Sequence, residues 1–511
     1  MPFAAIMLAV VSRRSFLAAG LAWGLPSLVP SAGFGEPFTL GIASGDPDPG
    51  GFVLWTRLAP EPLAEDGYGG MPDTPVPVHW QVFADPAGKR VVRSGTQLAV
   101  REWVHSVHVT VTGLRPGRPY WYRFKAGPYV SPIGRALTAP APGTTGTPLR
   151  MAVCSCANYQ HGYFTAYAAL AAERPDLVVN LGDYIYEQGS DHLLGPGGNI
   201  RDHGGPEAMT LTDYRRRHAL YKTDPDLRAA HAAAPWVAVM DDHEVVNNWT
   251  NLIPAVRRAA AFRAYYEHMP LRPAARPGGT AMQLFRRLRW GGLATLHVLD
   301  TRQHRDPHLC GAGFHDCPQP DGPSRTMLGL DQERWLLDGF HRSRARWDLV
   351  CQQVFFGQRD RDPGPGRLVR QDAWDGYTAA RLRVSEGWLQ AGARNVAVLT
   401  GDVHAHWAGD IVLDYDDPAA RPIGAELAVT SITSGGDGVD IDPAADPLLA
   451  GNPHLKLHLS RRGYLMVDVT MSTLTATFKI LRYVSRPGAT AETAAVLALQ
   501  DRIPGLVEAR A

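Results

Sequence analysis

In the first part of the chain, apolar and polar residues alternate in short runs separated by turns, without a convincing helical period. Residues 78–83, 106–111 and 120–124 have the alternation of half-buried strands. Several short strands joined by turns are typical of a β-sandwich. We therefore predict an all-β domain of the immunoglobulin or fibronectin type over residues 36–140.

After a Pro-, Gly- and Thr-rich linker at 140–148, the pattern changes to short apolar runs alternating with amphipathic segments. The apolar runs predict strands at 151–155, 176–181, 236–240, 293–299, 349–356, 396–399, 427–432, 464–469 and 474–480. The amphipathic segments predict helices at 164–173, 214–221, 227–233, 331–342 and 379–390. This predicts an α/β domain over residues 149–511, with two sheets flanked by helices. The tail AETAAVLALQ is expected to form a helix, either over the site or elsewhere.

Four of the predicted strands end in residue types that bind metals or transfer protons. Because parallel strands place their carboxyl ends at one edge of a sheet, we expect these side chains to converge there. They are Cys156 after the first strand, Asp183 and Tyr186 after the second, Asp242 and His243 after the third, and Asp402, His404 and His406 after the sixth.

The segment DLVVNLGDYIYE at 176–187 is central to this prediction. One aspartate can bridge two cations, and a phenolate binds Fe(III), so Asp183 and Tyr186 indicate a two-metal site. Taken alone, the segment is also compatible with a strand end whose aspartate caps a turn and whose tyrosine packs nearby.

Composition excludes some classes of function. The chain has 511 residues, 45% hydrophobic and 20% charged, with 51 basic and 50 acidic residues and a net charge of +1. These values are ordinary for a globular protein and give no polyanion-coating surface, so nucleic-acid binding is not expected. Among the five cysteines, Cys310 and Cys317 flank a short loop and could pair in an oxidising compartment, and Cys351 is expected to be buried.

The N-terminus has the pattern of an export signal. SRRSFL at 12–17, followed by an apolar stretch, resembles a twin-arginine signal peptide, which we place at residues 1–35. This predicts passage through the twin-arginine export machinery and a periplasmic or secreted location. A membrane anchor is the alternative, but Gly20, Gly24 and Pro26 interrupt the apolar stretch, so no stable anchor is expected.

The motifs GDYIYE, MDDHEVVNNW and LTGDVHAHW, with CSCANYQHGYF and LDTRQHR, resemble those of the PhoD-like alkaline phosphatases. These enzymes belong to the calcineurin-like and purple-acid-phosphatase metallophosphoesterases. SGDPDPGGFVLWTR resembles the family's N-terminal domain, so the resemblance covers nearly the whole chain. It implies a two-sheet metallophosphoesterase sandwich and a secreted enzyme that hydrolyses phosphomonoesters and phosphodiesters with a metal-activated hydroxide.

The resemblance also assigns the residues at the strand ends. It implies that Fe(III) is bound by Cys156, Asp183, Tyr186 and His404, and that Ca²⁺ is bound by Asp183, Asp242 and Asp402. His243 would hydrogen-bond a phosphate oxygen or the leaving group. Asn247 and Arg302 would contact phosphate or the second metal site, with a structural ion pair as the alternative for Arg302.

Two positions leave alternatives open. Strand alternation places Cys154 on the same face as Cys156, so Cys154 could approach the iron, pair with Cys156 or, as we favour, fill apolar space. His406 could be a ligand or, as we favour, support the ligands from behind. Two other functions remain: a phospholipase D-like phosphodiesterase acting on lipid head groups, and a non-catalytic cell-surface binding protein.

Overall fold

A computed structural model describes residues 33–194, 198–318, 321–362, 364, 366–443 and 445–508. The twin-arginine motif at 12–17 lies outside these residues. Within the described part of the chain, no helix combines the length and apolar character needed to cross a membrane.

The N-terminal region contains strands and no α-helix within residues 33–140. Its strands are β1 (Ile42–Asp48), β2 (Gly51–Arg57), β3 (Val76–Phe83), β4 (Val91–Ala99), β5 (Ser106–Val111), β6 (Pro119–Ala126), β7 (Tyr129–Val130) and β8 (Gly134–Leu137). The three strands predicted from the alternating pattern correspond to β3, β5 and β6 and are confirmed.

Beyond the linker, strands and helices alternate as the pattern predicts. In chain order the next elements are β9 (Leu149–Cys154), α1 (Thr165–Ala172), β10 (Leu177–Asn180), α2 (Leu211–Lys222), α3 (Pro225–Ala233), β11 (Pro235–Ala238), α4 (Ala255–His268), β12 (Arg286–Trp290), β13 (Ala294–Val298), β14 (Phe314–His315), α5 (Gly329–Arg342) and β15 (Trp347–Gln352). They are followed by β16 (Val369–Arg370), α6 (Thr378–Gln390), β17 (Val396–Thr400), β18 (His406–Ile411), β19 (Gly424–Ala428), α7 (Ala445–Gly451), β20 (Leu455–Leu459), β21 (Arg462–Val469), β22 (Thr473–Leu481), β23 (Ala491–Gln500) and β24 (Ile503–Glu508).

Two large sheets organise this mixed α/β fold. The first has ten strands in the order β24-β23-β22-β21-β9-β10-β11-β1-β2-β5, and the second has seven in the order β12-β13-β15-β17-β19-β18-β20. Strands β9, β10 and β11 are parallel, as are β13, β15, β17 and β19. One apolar core contains residues from both sheets, including Val153 and Val179 of the first and Leu349 and Leu399 of the second.

The ten-stranded sheet continues across the predicted boundary between the N-terminal region and the rest of the chain. Strand β1 pairs in parallel with β11 through Ser44 and Gly45, while β3, β4, β6 and β7 form a separate sheet. A Cβ at Gly45 would lie 2.3 Å from the Pro270 carbonyl oxygen, so this close approach requires glycine. An apolar core lies between the separate sheet and β1, β2 and β5, as in a sandwich. The domain boundaries themselves stay a prediction.

The prediction of a helix for the tail AETAAVLALQ is wrong. These residues form β23, which pairs antiparallel with the full length of β22. Alanine, leucine and glutamate favour helices locally, but pairing with a strand already in the sheet outweighs that weak preference.

Candidate metal centre

The predicted ligands converge at the carboxyl ends of β9, β10 and β11 of the ten-stranded sheet and of β17 of the seven-stranded sheet, so the prediction that they share one edge of a single sheet is wrong. Three groups of side chains place one possible ligand atom from each member within 4.8 Å of the others. Asp183 belongs to two of the groups, and so does Asp242. The groups are Cys156 with Asp183 and His404, Asp183 with Asp242 and His243, and Asp241 with Asp242 and Asp402.

Sharp backbone turns position these ligands. Cys156, Asp183, Asp402 and His404 all have left-handed backbones, with φ between 52° and 62°. This conformation is costly for residues other than glycine and is found where the surroundings enforce it, often at functional sites. Here the Cys156 amide donates to the Gly182 carbonyl at 3.2 Å, which joins the turns after β9 and β10.

Glu244 joins the turn after β10 to the turn after β11. Its buried carboxylate accepts hydrogen bonds from the backbone amides of Asp183 at 3.1 Å, Tyr184 at 2.6 Å and Asp241 at 2.9 Å. Because these donors belong to both turns, Glu244 fixes the separation of Asp183 and Asp242.

The Tyr186 phenol lies inside this arrangement. Its Oη donates to Asp183 Oδ2 at 2.8 Å, lies 3.2 Å from His404 Nε2, and accepts from Ser434 Oγ at 2.5 Å. Burial, with the charge of Asp183, raises the pKa of Tyr186 well above its ordinary value. The phenol therefore needs a nearby cation in order to ionise.

The donor set fits metal cations. Burial, together with Asp183, also raises the pKa of the Cys156 thiol well above its ordinary value, and a coordinated metal is the usual cause of thiol ionisation at such a site. Three carboxylate oxygens, Asp241 Oδ2, Asp242 Oδ1 and Asp402 Oδ2, are buried without a hydrogen-bond partner among the described residues. Buried anionic oxygens require positive charge, which bound cations supply.

His243 is oriented by a carboxylate that the sequence analysis did not single out. Its Nδ1 lies 2.7 Å from Glu187 Oε2, and its ring stacks on Tyr186 with the centroids 4.0 Å apart. Burial lowers the pKa of His243, but the charges of Glu187, Asp183 and Asp242 outweigh burial and raise it well above its ordinary value. This histidine is therefore held as a hydrogen-bond donor beside the predicted ligands.

Arg302 forms ion pairs with the carboxylates of the site, as the alternative interpretation of this residue predicted. Its guanidinium donates to Asp241 Oδ1 and, at 3.1 Å, to Asp402 Oδ1, and it is 1% exposed. It supplies one positive charge to the cluster of Asp241, Asp242 and Asp402.

Asn247 and Asn248 contact the site differently. The Asn247 side chain is exposed, and only its backbone amide donates to Glu187, at 2.9 Å. The Asn248 amide donates to Asp242 Oδ2 at 2.6 Å, from a residue with φ of 53°. The structure therefore brings the backbone of Asn248, which was not predicted, closer to a ligand than the side chain of Asn247.

Cys154 lies apart from the ligands. The prediction that it shares a face with Cys156 rested on strand alternation, which does not extend to Cys156, because β9 ends at Cys154 and Cys156 has a left-handed backbone. Its thiol accepts a long hydrogen bond of 3.8 Å from Asn180, and burial raises its pKa to about 12. Both cysteines are free, so the favoured interpretation of Cys154 as a buried filler agrees with the structure.

His406 contacts backbone groups of neighbouring strands and belongs to none of the three ligand groups. Its Nδ1 accepts from the Thr430 amide at 3.2 Å, and its Nε2 lies 3.1 Å from the Lys479 carbonyl oxygen. The Thr430 hydroxyl in turn donates to the His404 carbonyl at 3.2 Å, so His406 supports this ligand indirectly.

The predictions for the other cysteines are also confirmed. Cys310 and Cys317 form a disulfide, and Cys351 is buried.

Comparisons with known proteins agree with this geometry. Residues 151–478 match the PhoD-like phosphatase family, and residues 27–140 match the PhoD-like phosphatase N-terminal domain. The chain is 45% identical over 482 residues to alkaline phosphatase D of Bacillus subtilis (strain 168), covering 92% of this chain and 82% of that protein. It also superposes on a solved structure of PhoD with a TM-score of 0.90 and 45% identity, covering 93% of this chain and 92% of the other.

The fold, the clustered candidate metal ligands and these relatives define a phosphoric ester hydrolase. Because a phosphoric ester hydrolase is an enzyme, the alternative of a non-catalytic cell-surface binding protein is excluded. The chain belongs to the PhoD-like phosphatase family.

Proposed function

We propose that this protein is a secreted PhoD-like alkaline phosphatase that hydrolyses phosphomonoesters and phosphodiesters with the aid of Fe(III) and Ca²⁺. One observation carries the proposal: the Asp183 carboxylate is shared by a group containing a thiol and an imidazole and by a group containing a second carboxylate. A shared carboxylate between unlike donor sets is the arrangement that a mixed two-metal site requires.

Donor chemistry assigns the two cations. Cys156, Tyr186 and His404 offer sulfur, phenol oxygen and nitrogen, which suit iron, with Asp183 as the fourth donor. Asp183, Asp242 and Asp402 offer carboxylate oxygens, which suit calcium. When bound, two such cations stabilise the negative charge of the transferring phosphoryl group and lower the pKa of water.

The remaining polar groups act on the substrate. Glu187 holds the His243 ring so that its other nitrogen is free to donate to a phosphoryl oxygen or to the departing alcohol. Arg302 adds positive charge where its ion pairs meet the carboxylate cluster. Burial of these side chains excludes water and strengthens each electrostatic contact.

The same proposal covers the organisation and location of the chain. Residues 149–511 are assigned to a two-sheet metallophosphoesterase sandwich and 36–140 to the N-terminal β-domain. Residues 1–35 would direct export through the twin-arginine machinery, and the family relationship supports a protein that functions outside the cytoplasm.

Replacing Asp183 with asparagine tests the proposal. Asp183→Asn is expected to abolish the hydrolysis of an aryl phosphate and of a bis-aryl phosphodiester and to lower the content of both metals, because both donor sets lose their shared carboxylate. Asp338→Asn, on the exposed face of α5, is the matched control. Retained hydrolysis in Asp183→Asn would refute the proposal. A choline phospholipid assayed in parallel measures any phospholipase D-like activity.

A further inference from the structure

A cavity of about 370 Å³ lies beside β18 and is lined by Asp360, Arg361, Asp362, Trp407, Asp442 and Leu448, among others. Trp407 follows His404 closely in sequence and faces away from His406, because successive strand residues alternate faces. None of the residues named as lining the cavity belongs to the three ligand groups.

Arg359 lies next to this cavity without an anionic partner. It is 5% exposed, and its buried Nε has no hydrogen-bond partner among the described residues. Within the part of the chain that the structure describes, no carboxylate lies at ion-pair distance from its guanidinium. A buried cation without a paired anion is costly, so such a group indicates a site for an anionic ligand.

Aromatic rings hold the Arg359 guanidinium in place. Its Cζ lies 4.9 Å from the ring centroid of Phe355 and 5.5 Å from those of Phe314 and Trp407. Arg361 is exposed, and its Cζ lies 3.7 Å from the Phe314 ring centroid. Phe314 belongs to the loop closed by the Cys310–Cys317 disulfide, so the two guanidinium groups share one rigid aromatic support.

A third arginine, Arg370, lies close enough to act on Arg359, but Asp372 balances its charge. Its guanidinium is paired with Asp372 at 2.7 and 3.0 Å. Burial, together with the charges of Arg370 and Arg361, lowers the pKa of Arg359 to about 10, while the charges of Asp402 and Asp375 oppose this shift. Asp402 also raises the pKa of Arg370. The arginine cluster therefore lies within electrostatic range of a predicted metal ligand.

Two of the acidic residues of the cavity accept backbone hydrogen bonds through one carboxylate oxygen each. Asp360 Oδ1 accepts from the amides of Asp362 and Leu368, both at 2.9 Å. Asp362 Oδ1 accepts from the Gly364 amide at 2.7 Å. Asp442 Oδ2 lies 3.8 Å from His458 Nε2, and the charge of Asp442 also acts on Arg361.

We propose that Arg359 and Arg361 form a subsite for a second phosphate group of the substrate, while the scissile phosphate occupies the metal centre. This inference rests on the proposed function and extends it to substrate choice. The enzyme then favours esters that carry another phosphate over simple monophosphates, because the second phosphate supplies the anion that Arg359 lacks.

The test compares alkanediol bisphosphates, from ethanediol to hexanediol, with alkyl monophosphates of matched length. The metal-loaded protein is expected to show a kcat/KM roughly tenfold or more higher for the best bisphosphate, the size of one charge-assisted hydrogen bond. Arg361→Gln and Arg359→Gln are expected to remove this preference, and Arg361→Gln should leave monophosphate hydrolysis within about twofold. Arg334→Gln, an exposed arginine of α5, is the matched control.

The subsite is refuted if the wild-type protein shows no preference at any chain length, or if the preference survives in Arg361→Gln. The exposed Arg361 keeps the test decisive even if Arg359→Gln fails to fold. If the wild-type protein hydrolyses neither ester, the proposed function fails. In that case, calorimetric titration with propane-1,3-bisphosphonate and with propylphosphonate tests the subsite separately. The subsite predicts that Arg361→Gln binds the bisphosphonate roughly tenfold more weakly than the wild-type protein does and binds propylphosphonate equally well.

Discussion

Replacing Glu187 with glutamine isolates the contribution of His243 from that of the metal ligands. The buried Glu187 carboxylate lies 2.7 Å from His243 Nδ1 and accepts a hydrogen bond from the Asn247 backbone amide at 2.9 Å. A buried charge-assisted hydrogen bond contributes about 1.5–3 kcal/mol. If that energy orients His243 in the transition state, Glu187→Gln lowers kcat/KM by roughly ten- to a hundredfold.

The pH profile adds a second readout. Glu187 is the strongest of the charges that raise the pKa of His243 against burial, so its neutralisation lowers that pKa. A His243 that must be protonated to donate then loses its proton at lower pH, and the alkaline limb of the rate profile moves to lower pH. The assay is steady-state hydrolysis of p-nitrophenyl phosphate across pH, with metal content measured on the same samples.

Glu207→Gln is the control for Glu187→Gln, since Glu207 pairs with Arg257 with nearly half of its side chain exposed. Full activity with an unchanged pH profile in metal-loaded Glu187→Gln would refute the role given to this pair. Loss of metal from Glu187→Gln would show instead that Glu187 supports the ligands.

Further changes test the ligands and the fold. Cys156→Ser is expected to remove iron and visible colour, whereas Cys154→Ala keeps both, which absorption spectra of the two variants will show. Glu244→Gln leaves at least one of three buried amide donors unsatisfied and should lower the free energy of unfolding by about 1–3 kcal/mol in urea titrations. Burial lowers the pKa of His108 to about 4, so the stability it contributes is present above pH 6.5 and lost as pH falls toward 4. This loss is about 2 kcal/mol at pH 5, and it should be absent from His108→Gln in unfolding curves measured at pH 5 and pH 8.

Local patterns were sufficient to predict the elements that carry the site. The apolar runs before Asp183, Asp242 and Asp402 contain buried strands, which end two to four residues before these carboxylates. Asp183 and Asp242 follow parallel strands of one sheet, so their convergence followed from the pattern. Asp402 follows a strand of the other sheet, and its approach depends on the packing of the two sheets, which local patterns do not encode.

Features that depend on distant partners were not predictable from local patterns. Strand β23 has a helix-forming composition and becomes a strand because β22 offers it an edge. Glu187 and Glu244 act across turns that are remote in sequence, on His243 and on the Asp183 amide. The turn at Cys156 includes its hydrogen bond to Gly182, so strand alternation alone could not place Cys154 relative to Cys156.

The most direct test of the two-metal site is elemental analysis of the exported protein, purified without chelators, together with its visible spectrum. Iron and calcium are expected in the same active protein, with a charge-transfer colour that is lost or shifted in Tyr186→Phe. A fully active protein that contains no iron and is colourless would contradict the assignment of Cys156, Tyr186 and His404 as iron ligands.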